Sequence, residues 1–315
     1  MDKAVAILGT NLPARGWALV FARAGYSVRL FNPEAATAAE LSRQLRLTAG
    51  DLSENGLLGE EVSAVLGRIT LVPSLVDALD GAHYVQDNTP TLEAKTAMFE
   101  ELDRLAAPDA ILASSQVGVL TSSFVEPLGC RNRVLIAHPI NPALMPVVEV
   151  APNPWTDEAV VDRTCVLLAE IGLRPLRLSE FKGLIIDRLA AALLHEAFRL
   201  VDAGLATVDQ VDACVSDGLA RRWVVAGPFE TMDVNAPGGV VEYIAGSEPL
   251  MRSIFDEGQR EAVTWNGPLA ARVEAQRRRF LAAEQVGHRL EWRDQQLARL
   301  AVFKHRLSEQ PHHTE

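Results

Sequence analysis

The stretch KAVAILGTNLPARG, residues 3–16, decides the fold. A short apolar run, Ala4–Leu8, ends at Gly9, and apolar residues then recur with helical spacing over Leu12–Ala24 until the next glycine. Ser27–Phe31 is again strand-like. Strand, glycine, helix and strand in this order are typical of a dinucleotide-binding βαβ unit. We therefore expect a Rossmann-type domain at the start of the chain.

The rest of the first half repeats this rhythm. Short apolar runs alternate with helical patterns, of which Glu93–Leu105 is the strongest. This alternation predicts an α/β fold with a mostly parallel, doubly wound sheet. The further predicted strands are Tyr84–Gln86, Ala110–Ala113, Val134–Ala137 and Val147–Val150.

The second half changes to helical patterns. Lys182–Ala203 carries apolar residues at i, i+3 and i+4 along its length, and Val208–Leu219 and Pro249–Ala262 are further predicted helices. We expect a Rossmann-like dinucleotide-binding domain over residues 1–182 and a mostly α-helical C-terminal domain over residues 183–315.

The composition excludes several classes of partner. Because the net charge is −11 at pH 7, the field of the protein repels phosphate, and we expect no nucleic-acid partner. No apolar run approaches the roughly 20 residues of a membrane helix, so we expect no membrane partner either. Cys130, Cys165 and Cys214 are widely spaced without a nearby histidine, which argues against a disulfide framework or a metal site. This cysteine usage favours a cytoplasmic location.

The glycine pattern of the dinucleotide loop is incomplete. Gly9 can make the turn, but Asn11 stands where a second glycine would let the backbone approach a pyrophosphate, and Ala14 replaces the third. Asn is also a strong helix N-cap, which would occupy amide groups that otherwise face an anion. The second strand ends on Asn32 instead of an acid that would pair with the ribose. The residues predicted to contact a dinucleotide here are Gly9, Asn11, Leu12, Ala14 and Asn32.

A histidine and a glutamate form the main candidate for acid/base chemistry. His138 directly follows a predicted strand, and Glu149 lies eleven residues later within the next one. A histidine and a glutamate on adjacent strands can meet side by side, so that the carboxylate orients the ring of a general acid/base. The alternative is a structural histidine that caps a turn.

Several short motifs occur in collinear order from about residue 4 to residue 245. They are RGWA (15–18) with FARAG (21–25), VQD (85–87) with Pro90, DAILASS (109–115), HPINP (138–142), GLIIDRL (183–189), and GL (218–219) with RW (222–223) and GPF (227–229). Together they resemble the 3-hydroxyacyl-CoA dehydrogenase superfamily, and within it the branch of L-gulonate 3-dehydrogenase (lambda-crystallin) and carnitine dehydrogenase. The resemblance implies NAD as cofactor, a cytoplasmic enzyme, and a homodimer that forms through the helical domain.

The resemblance also implies roles for individual residues. In this family a histidine accepts the proton of a secondary alcohol while NAD takes the hydride, and a glutamate orients the histidine; these correspond to His138 and Glu149. The serine and the asparagine that hold substrate oxygens in the family fall on Val117 and Asp187. Asp187 would bring a second carboxylate towards the histidine, and we count it with the catalytic candidates.

Other family positions are partly kept. Pro90 and Lys95 keep their places and are implied to contact the cofactor, although the acid that usually follows the proline is missing. The remaining residues that we predict to contact substrate are Ser115, Asn141 and Arg222.

Three functions remain open at this stage. The first is an oxidoreductase that acts on the 3-hydroxyl of a small hydroxy or keto acid or an acyl thioester, with a divergent cofactor loop. The second is a non-redox acid/base enzyme on the same scaffold, which dehydrates, decarboxylates, cyclises or hydrolyses its substrate. The third is a non-catalytic structural or binding member of the family.

Overall fold

The computed structural model describes residues 3–31, 38–260 and 267–309, and its centre is an eight-stranded sheet. The strands are β1 Ala4–Leu8, β2 Ser27–Phe31, β3 Ile69–Val72, β4 Ala82–Asp87, β5 Ile111–Ser114, β6 Val134–Pro139, β7 Val147–Pro152 and β8 Arg174–Arg177. They lie in the order β3-β2-β1-β4-β5-β6-β7-β8. Every neighbouring pair is parallel except β6 with β7. The predicted doubly wound α/β sheet is confirmed.

Helices alternate with the strands up to β8 and then follow one another. They are α1 Leu12–Arg23, α2 Ala38–Glu54, α3 Val62–Leu66, α4 Leu75–Leu79, α5 Leu92–Leu105, α6 Ser122–Val125, α7 Glu158–Glu170, α8 Leu184–Asp202, α9 Val208–Ala213, α10 Ala220–Val225, α11 Pro228–Val234, α12 Gly239–Arg260, α13 Gly267–Arg278 and α14 Val286–Glu309. A π-helical segment, Cys214–Leu219, joins α9 to α10. The predicted helical second half is therefore confirmed.

The central strand β1 is buried along its whole length. Its side chains alternate between two hydrophobic clusters, as the two-residue period of a strand requires. Val5 and Ile7 pack in a cluster with Trp17 of α1, whereas Leu8 packs in the other cluster with Phe99 of α5. Burial on both faces is typical of a central parallel strand, and it explains why this segment has no polar residue.

The end of β1 is the place where the strand order changes direction. The chain passes from β1 through α1 to β2 on one side, while β4 pairs with the other side of β1. Ligands of open α/β sheets bind at such a switch point, outside the carboxyl ends of the strands. The site is therefore expected where Gly9 follows β1 and where β4 and β5 end.

Contacts divide the chain into two compact units. The first unit extends to Asp187 and also includes Arg293–Phe303, a part of α14. The second consists of Arg188–Trp292 and the residues after Phe303. Ala298 of α14 is fully buried in the cluster that contains β1.

Candidate functional site

The loop after β1 is shaped by Gly9 and by the side chain of Asn11. Gly9 has a φ of +100°, and a Cβ at this position would lie 3.3 Å from the Cβ of Asn88. Asn11 caps α1, because its Oδ1 accepts a hydrogen bond from the N–H of Ala14 (3.1 Å). Its Nδ2 donates to the carbonyl of Asn88 (3.0 Å). The predicted N-cap is present, and it also ties the loop to the residue after β4.

The first turn of α1 keeps backbone donors for an anion. The N–H groups of Thr10, Asn11 and Leu12 donate no hydrogen bond to any described residue. The N–H of Ala14, which is fully buried, is used by the Asn11 side chain. Arg15 adds a positive charge beside the loop, where its Nη1 donates to the carbonyl of Thr10 (2.9 Å). Free amides at the N-terminus of a twelve-residue helix fit the pyrophosphate of a dinucleotide.

Ser115 stands at the centre of a buried polar network. Its hydroxyl donates to Oδ1 of Asn88 (2.7 Å) and accepts from Nε1 of Trp17 (3.2 Å) and Nε2 of Gln86 (2.8 Å). The hydroxyl of Tyr84 donates to Oε1 of Gln86 (2.6 Å), and burial holds the pKa of Tyr84 far above its usual value. The Ser115 hydroxyl thus has its partners inside the protein, and its contact with a substrate stays a prediction.

Lys95 is fully buried and forms an ion pair with Asp87 at the end of β4. The other oxygen of Asp87 accepts from the backbone N–H and the hydroxyl of Thr89 (3.0 and 2.8 Å). Pro90 is exposed, and its carbonyl accepts from Nε2 of Gln116 (3.4 Å). Since the Lys95 ammonium group is held by a carboxylate inside the protein, the contacts of Lys95 and Pro90 with a cofactor stay predictions.

His138, near the end of β6, has one ring nitrogen fixed and the other available. Its Nδ1 lies 2.7 Å from the carbonyl oxygen of Ser115. A carbonyl can only accept, so Nδ1 carries the hydrogen and Nε2 of the neutral ring is an acceptor. Nε2 is buried without a hydrogen-bond partner among the described residues, and Oδ1 of Asp187 lies 3.8 Å from it. The ring is therefore arranged to take a proton at Nε2.

Glu149 lies directly opposite His138 in the antiparallel pair of β6 and β7, in agreement with the side-by-side placement expected from the sequence. The carboxylate is fully buried. Its Oε1 accepts from the N–H groups of Ile185 (2.7 Å) and Ile186 (3.1 Å) in the first turn of α8, while Oε2 has no partner among the described residues. A backbone carbonyl thus orients the histidine ring, and Glu149 binds the backbone of the turn that carries Asp187.

The two positions that differ from the family pattern have different surroundings. Val117 is buried in a small apolar cluster with Ile136, Ala151 and Leu184, so its side chain offers no hydrogen bond. Asp187 lies in the first turn of α8, and its side chain is 54% exposed. Leu184, the first residue of α8, has a φ of +41°, which is strained for a bulky residue other than glycine.

Three other residues were predicted to belong to the site, namely Asn141, Arg222 and Asn32. Asn141 is buried in the turn after β6, and its Oδ1 has no hydrogen-bond partner in the described ranges; a Cβ on Gly16 of α1 would lie 3.1 Å from that oxygen. Arg222 is exposed on α10 in the second unit. Asn32, which was predicted to meet the ribose, lies outside the described residues.

Three supporting residues were not predicted from the sequence as parts of the site. Trp17 and Gln86 fall within the RGWA and VQD motifs, so a signal for them existed. Asn88 had none, because its contacts with Gly9 and Asn11 arise only when β4 is placed beside β1.

The described ranges contain neither a metal centre nor a helix that could cross a membrane. No cluster of three or more His, Cys, Asp or Glu side chains in this part of the chain could hold a metal ion. None of its helices combines the length and the apolar character that crossing a membrane requires.

Comparison with known proteins gives consistent results over the whole chain. Residues 4–181 match the model of the 3-hydroxyacyl-CoA dehydrogenase NAD-binding domain, and residues 183–265 match that of the C-terminal domain. A lambda-crystallin homolog of Bos taurus is 35% identical over 317 residues, which cover 96% of each chain. L-carnitine dehydrogenase of Oceanobacillus iheyensis is 31% identical over 81% of this chain and 80% of its own length. The fold is also that of a solved NAD+-dependent dismutase, 5-formyl-3-hydroxy-2-methylpyridine-4-carboxylic acid 5-dehydrogenase, with a TM-score of 0.81, 23% identity, and coverage of 97% of this chain and 99% of that one.

Proposed function

This chain belongs to the 3-hydroxyacyl-CoA dehydrogenase family, and we propose that it oxidises the 3-hydroxyl group of a small hydroxy acid or acyl thioester with NAD. The family and the named relatives support an NAD-dependent oxidoreductase of the hydroxy acid dehydrogenase type. The observation that carries the proposal is that Nε2 of His138, at the carboxyl end of the sheet, has no hydrogen-bond partner among the residues that the structure describes.

In the proposed reaction, residues of this chain accept the proton, orient the histidine ring and bind the cofactor. His138 takes the hydroxyl proton at Nε2, and the carbonyl of Ser115 holds the Nδ1 hydrogen, so that the imidazolium keeps its orientation. The free amides of Thr10, Asn11 and Leu12 would hold the pyrophosphate of NAD. When bound, NAD supplies the acceptor for the hydride that leaves the carbinol carbon.

A second candidate is a non-redox acid/base enzyme. It is favoured by Asp187, because a carboxylate 3.8 Å from Nε2 of His138 stands where the family has a neutral amide. Such a histidine and carboxylate could together move protons during a dehydration or a hydrolysis. Loss of hydride chemistry would also agree with the apolar, buried Val117.

Titration of NADH and NAD into the purified protein separates the two candidates. Micromolar binding together with NADH formation from a 3-hydroxy acid or acyl thioester supports the dehydrogenase. If neither NADH nor NAD binds at millimolar concentration, hydride transfer is excluded and the non-redox reaction is favoured. In either case His138→Ala should abolish turnover, whereas His288→Ala, at an exposed position of α14, should leave it unchanged. Turnover by His138→Ala would contradict the assignment of the proton acceptor.

We also propose a cytoplasmic homodimer that forms through the helical domain. Support comes from the second unit, where large apolar side chains are exposed on successive helices. Phe229 of α11 is 75% exposed, and Val241 and Phe255 of α12 are 80% and 64% exposed. Sedimentation analysis should give twice the chain mass of 34.2 kDa, and Phe255→Glu should shift it towards the monomer. A monomeric wild-type protein would contradict this proposal.

A further inference from the structure

The hydroxyl group of Ser115 uses its full hydrogen-bonding capacity inside the first unit. Ser115 directly follows β5 and is buried. A serine hydroxyl offers one hydrogen and two lone pairs. The hydrogen goes to Oδ1 of Asn88 (2.7 Å). The lone pairs accept from Nε1 of Trp17 (3.2 Å) and Nε2 of Gln86 (2.8 Å). The hydroxyl therefore has neither a hydrogen nor a lone pair left for a substrate oxygen.

Asn88 connects this hydroxyl to the cofactor loop. Two donations by its Nδ2 to backbone carbonyls make Oδ1 the atom that faces Ser115. The backbone carbonyl of Asn88 accepts from Nδ2 of Asn11, the N-cap of α1 (3.0 Å). Trp17 lies further along the same helix. The helix whose first turn would hold the pyrophosphate thus contacts Ser115 directly through Trp17 and indirectly through Asn11 and Asn88.

The same residues act on the histidine from two directions. The backbone carbonyl of Ser115 lies 2.7 Å from Nδ1 of His138 and accepts its hydrogen. Nε2 of Gln86 also donates to the carbonyl of Ala137, the residue before the histidine (3.3 Å). The N–H of Ser115 donates to the carbonyl of Asp87 at the end of β4 (2.9 Å). Ser115 is therefore held at its N–H and at its hydroxyl, while its carbonyl directs the histidine ring.

The proposed reaction requires a fixed geometry between the cofactor and the histidine. The hydride leaves the carbinol carbon for NAD while the hydroxyl proton goes to Nε2 of His138, and a misplacement of about 1 Å can cost about 100-fold in rate. We infer that Ser115 is a positioning residue, whose hydroxyl ties the carbonyl that orients His138 to the helix that holds the cofactor, and that it does not bind the substrate. This inference rests on the proposed dehydrogenase function, and it differs from the substrate contact that the sequence predicts for Ser115.

Replacement of the hydroxyl should release the histidine. In Ser115→Ala an indole N–H, a carboxamide N–H and a carboxamide oxygen lose their common partner. Buried polar groups without a partner are costly, so we expect the backbone around residue 115 to shift. Nδ1 of His138 then loses its fixed acceptor, and the neutral ring can carry its hydrogen on Nε2 instead. A ring in that form cannot take the substrate proton at Nε2.

The test measures turnover, affinity and the position of the ring hydrogen separately. Oxidation of racemic 3-hydroxybutyrate with NAD gives kcat and KM, and calorimetry gives the affinity for NADH. NMR of the full, cofactor-free chain with nitrogen-15-labelled histidine shows which ring nitrogen carries the hydrogen in the pH range where the imidazole is neutral. A His138→Ala spectrum identifies the signal among those of the seven histidines.

Three variants are compared with the wild-type protein. Ser115→Ala removes the hydroxyl. Trp17→Phe removes one donor to that hydroxyl and keeps an aromatic ring in the core. The matched control is Ser114→Ala, because Ser114 is also buried and its hydroxyl, 3.4 Å from the N–H of Gln116, takes no part in the described bonds of this network.

Ser115→Ala should lower kcat by about 10- to 100-fold and leave KM and the NADH affinity unchanged within about twofold, because the lost contacts act on the transition state. The signal of a ring with its hydrogen on Nδ1 should be replaced in part by that of a ring with its hydrogen on Nε2. Trp17→Phe should change kcat and the spectrum in the same direction, with a fall in kcat of about threefold or more. Ser114→Ala should match the wild-type protein in both.

Several results would overturn the inference. They are a higher KM with unchanged kcat in Ser115→Ala, which would restore the substrate contact, and a wild-type spectrum in that variant, whatever its melting temperature. If Ser115→Ala does not fold, Trp17→Phe decides, and an unchanged kcat and spectrum there would overturn the inference. A wild-type protein that neither binds NAD nor forms NADH would overturn the dehydrogenase, and the spectra alone then decide whether Ser115 positions His138.

Discussion

Substitution of Glu149 tests whether a buried carboxylate holds the first turn of α8, up to Asp187, in place beside β7. In the wild-type protein Oε1 of Glu149 accepts from the N–H groups of Ile185 and Ile186, and the whole side chain is buried. Glu149→Gln keeps an acceptor of the same shape but removes the charge. Glu149→Leu removes the acceptor as well and leaves both amides without a partner.

The magnitudes follow from the two hydrogen bonds. A hydrogen bond to a charged group contributes about 1.5–3 kcal/mol net and a neutral one about 0.5–1.5 kcal/mol, so Glu149→Gln should cost about 2 kcal/mol. Loss of a hydrogen bond to the charged oxygen costs about 1.5–3 kcal/mol, so Glu149→Leu, which loses two, should cost about 4 kcal/mol. The expected order of stability is wild type, then Gln, then Leu.

Hydrogen exchange measured by mass spectrometry gives a local reading, which suits a protein with two units. In Glu149→Gln the peptide that contains Ile185 and Ile186 should exchange about 30-fold faster, since each 1.4 kcal/mol corresponds to a factor of ten. Peptides from α5 should be unchanged. The matched control is Glu158→Gln, which replaces an exposed carboxylate paired with Arg177 in the same unit.

Two results would refute the reasoning. If neither Glu149 variant accelerates exchange in the first turn of α8, the carboxylate does not hold that turn in place. If Gln and Leu have the same effect, the number of retained acceptors does not matter and the loss has another origin.

Three further predictions concern the loop, the core and the thiols. Asn11→Gly frees the N–H of Ala14 in α1, so calorimetry should show that NADH binds about fivefold more tightly. An unchanged affinity would contradict the idea that the Asn11 side chain obstructs the cofactor. Lys95→Met leaves the carboxylate of Asp87 buried without its counter-ion, so urea unfolding should show a free energy of unfolding lower by about 3–5 kcal/mol. The second substitution Asp87→Asn should partly restore it. A loss below about 1 kcal/mol would be inconsistent with the buried pair. Burial raises the pKa of the Cys130 thiol to about 12. Iodoacetamide at pH 8 should therefore modify the exposed Cys214 and leave Cys130 unmodified until the protein is unfolded, which peptide mass spectrometry can check. Fast modification of Cys130 in the native protein would contradict its burial.

The sequence predicted the inner strands well and the sheet edges poorly. The boundaries of β1 and β2 were predicted as observed, and β1 is the clearer case because a buried central strand carries a continuous apolar run. The edge strands Ile69–Val72 and Arg174–Arg177 were not predicted. Edge strands can be short and polar, and the second of these contains a proline between arginines, which weakens the strand pattern.

One helix was predicted with the wrong start. The sequence predicts a helix from Pro249, but α12 begins at Gly239 and Pro249 lies in its interior. The apolar residues on both sides of the proline keep one helical pattern. Sequence pattern alone does not tell whether a proline begins a helix or interrupts one.

Within the site, the sequence predicted which residues lie side by side but not which groups form their hydrogen bonds and ion pairs. The strand pattern was enough to place Glu149 opposite His138. It could not show that Nδ1 of His138 donates a hydrogen bond to the backbone carbonyl of Ser115, or that Lys95 forms a buried ion pair with Asp87. These choices depend on rotamers and on contacts between segments that are distant in sequence.

The part of α14 that belongs to the first unit has a consequence for how this protein is made. Ala298 completes the same hydrophobic cluster as Val5 and Ile7 of β1, although almost the whole chain separates them in sequence. When the strands of the Rossmann-like domain have emerged from the ribosome, part of their hydrophobic core has therefore not yet been synthesised. We expect the first unit to reach full protection from proteases only after Arg293–Phe303 has been synthesised, because the core around β1, the first strand, includes a residue of α14, the last helix described.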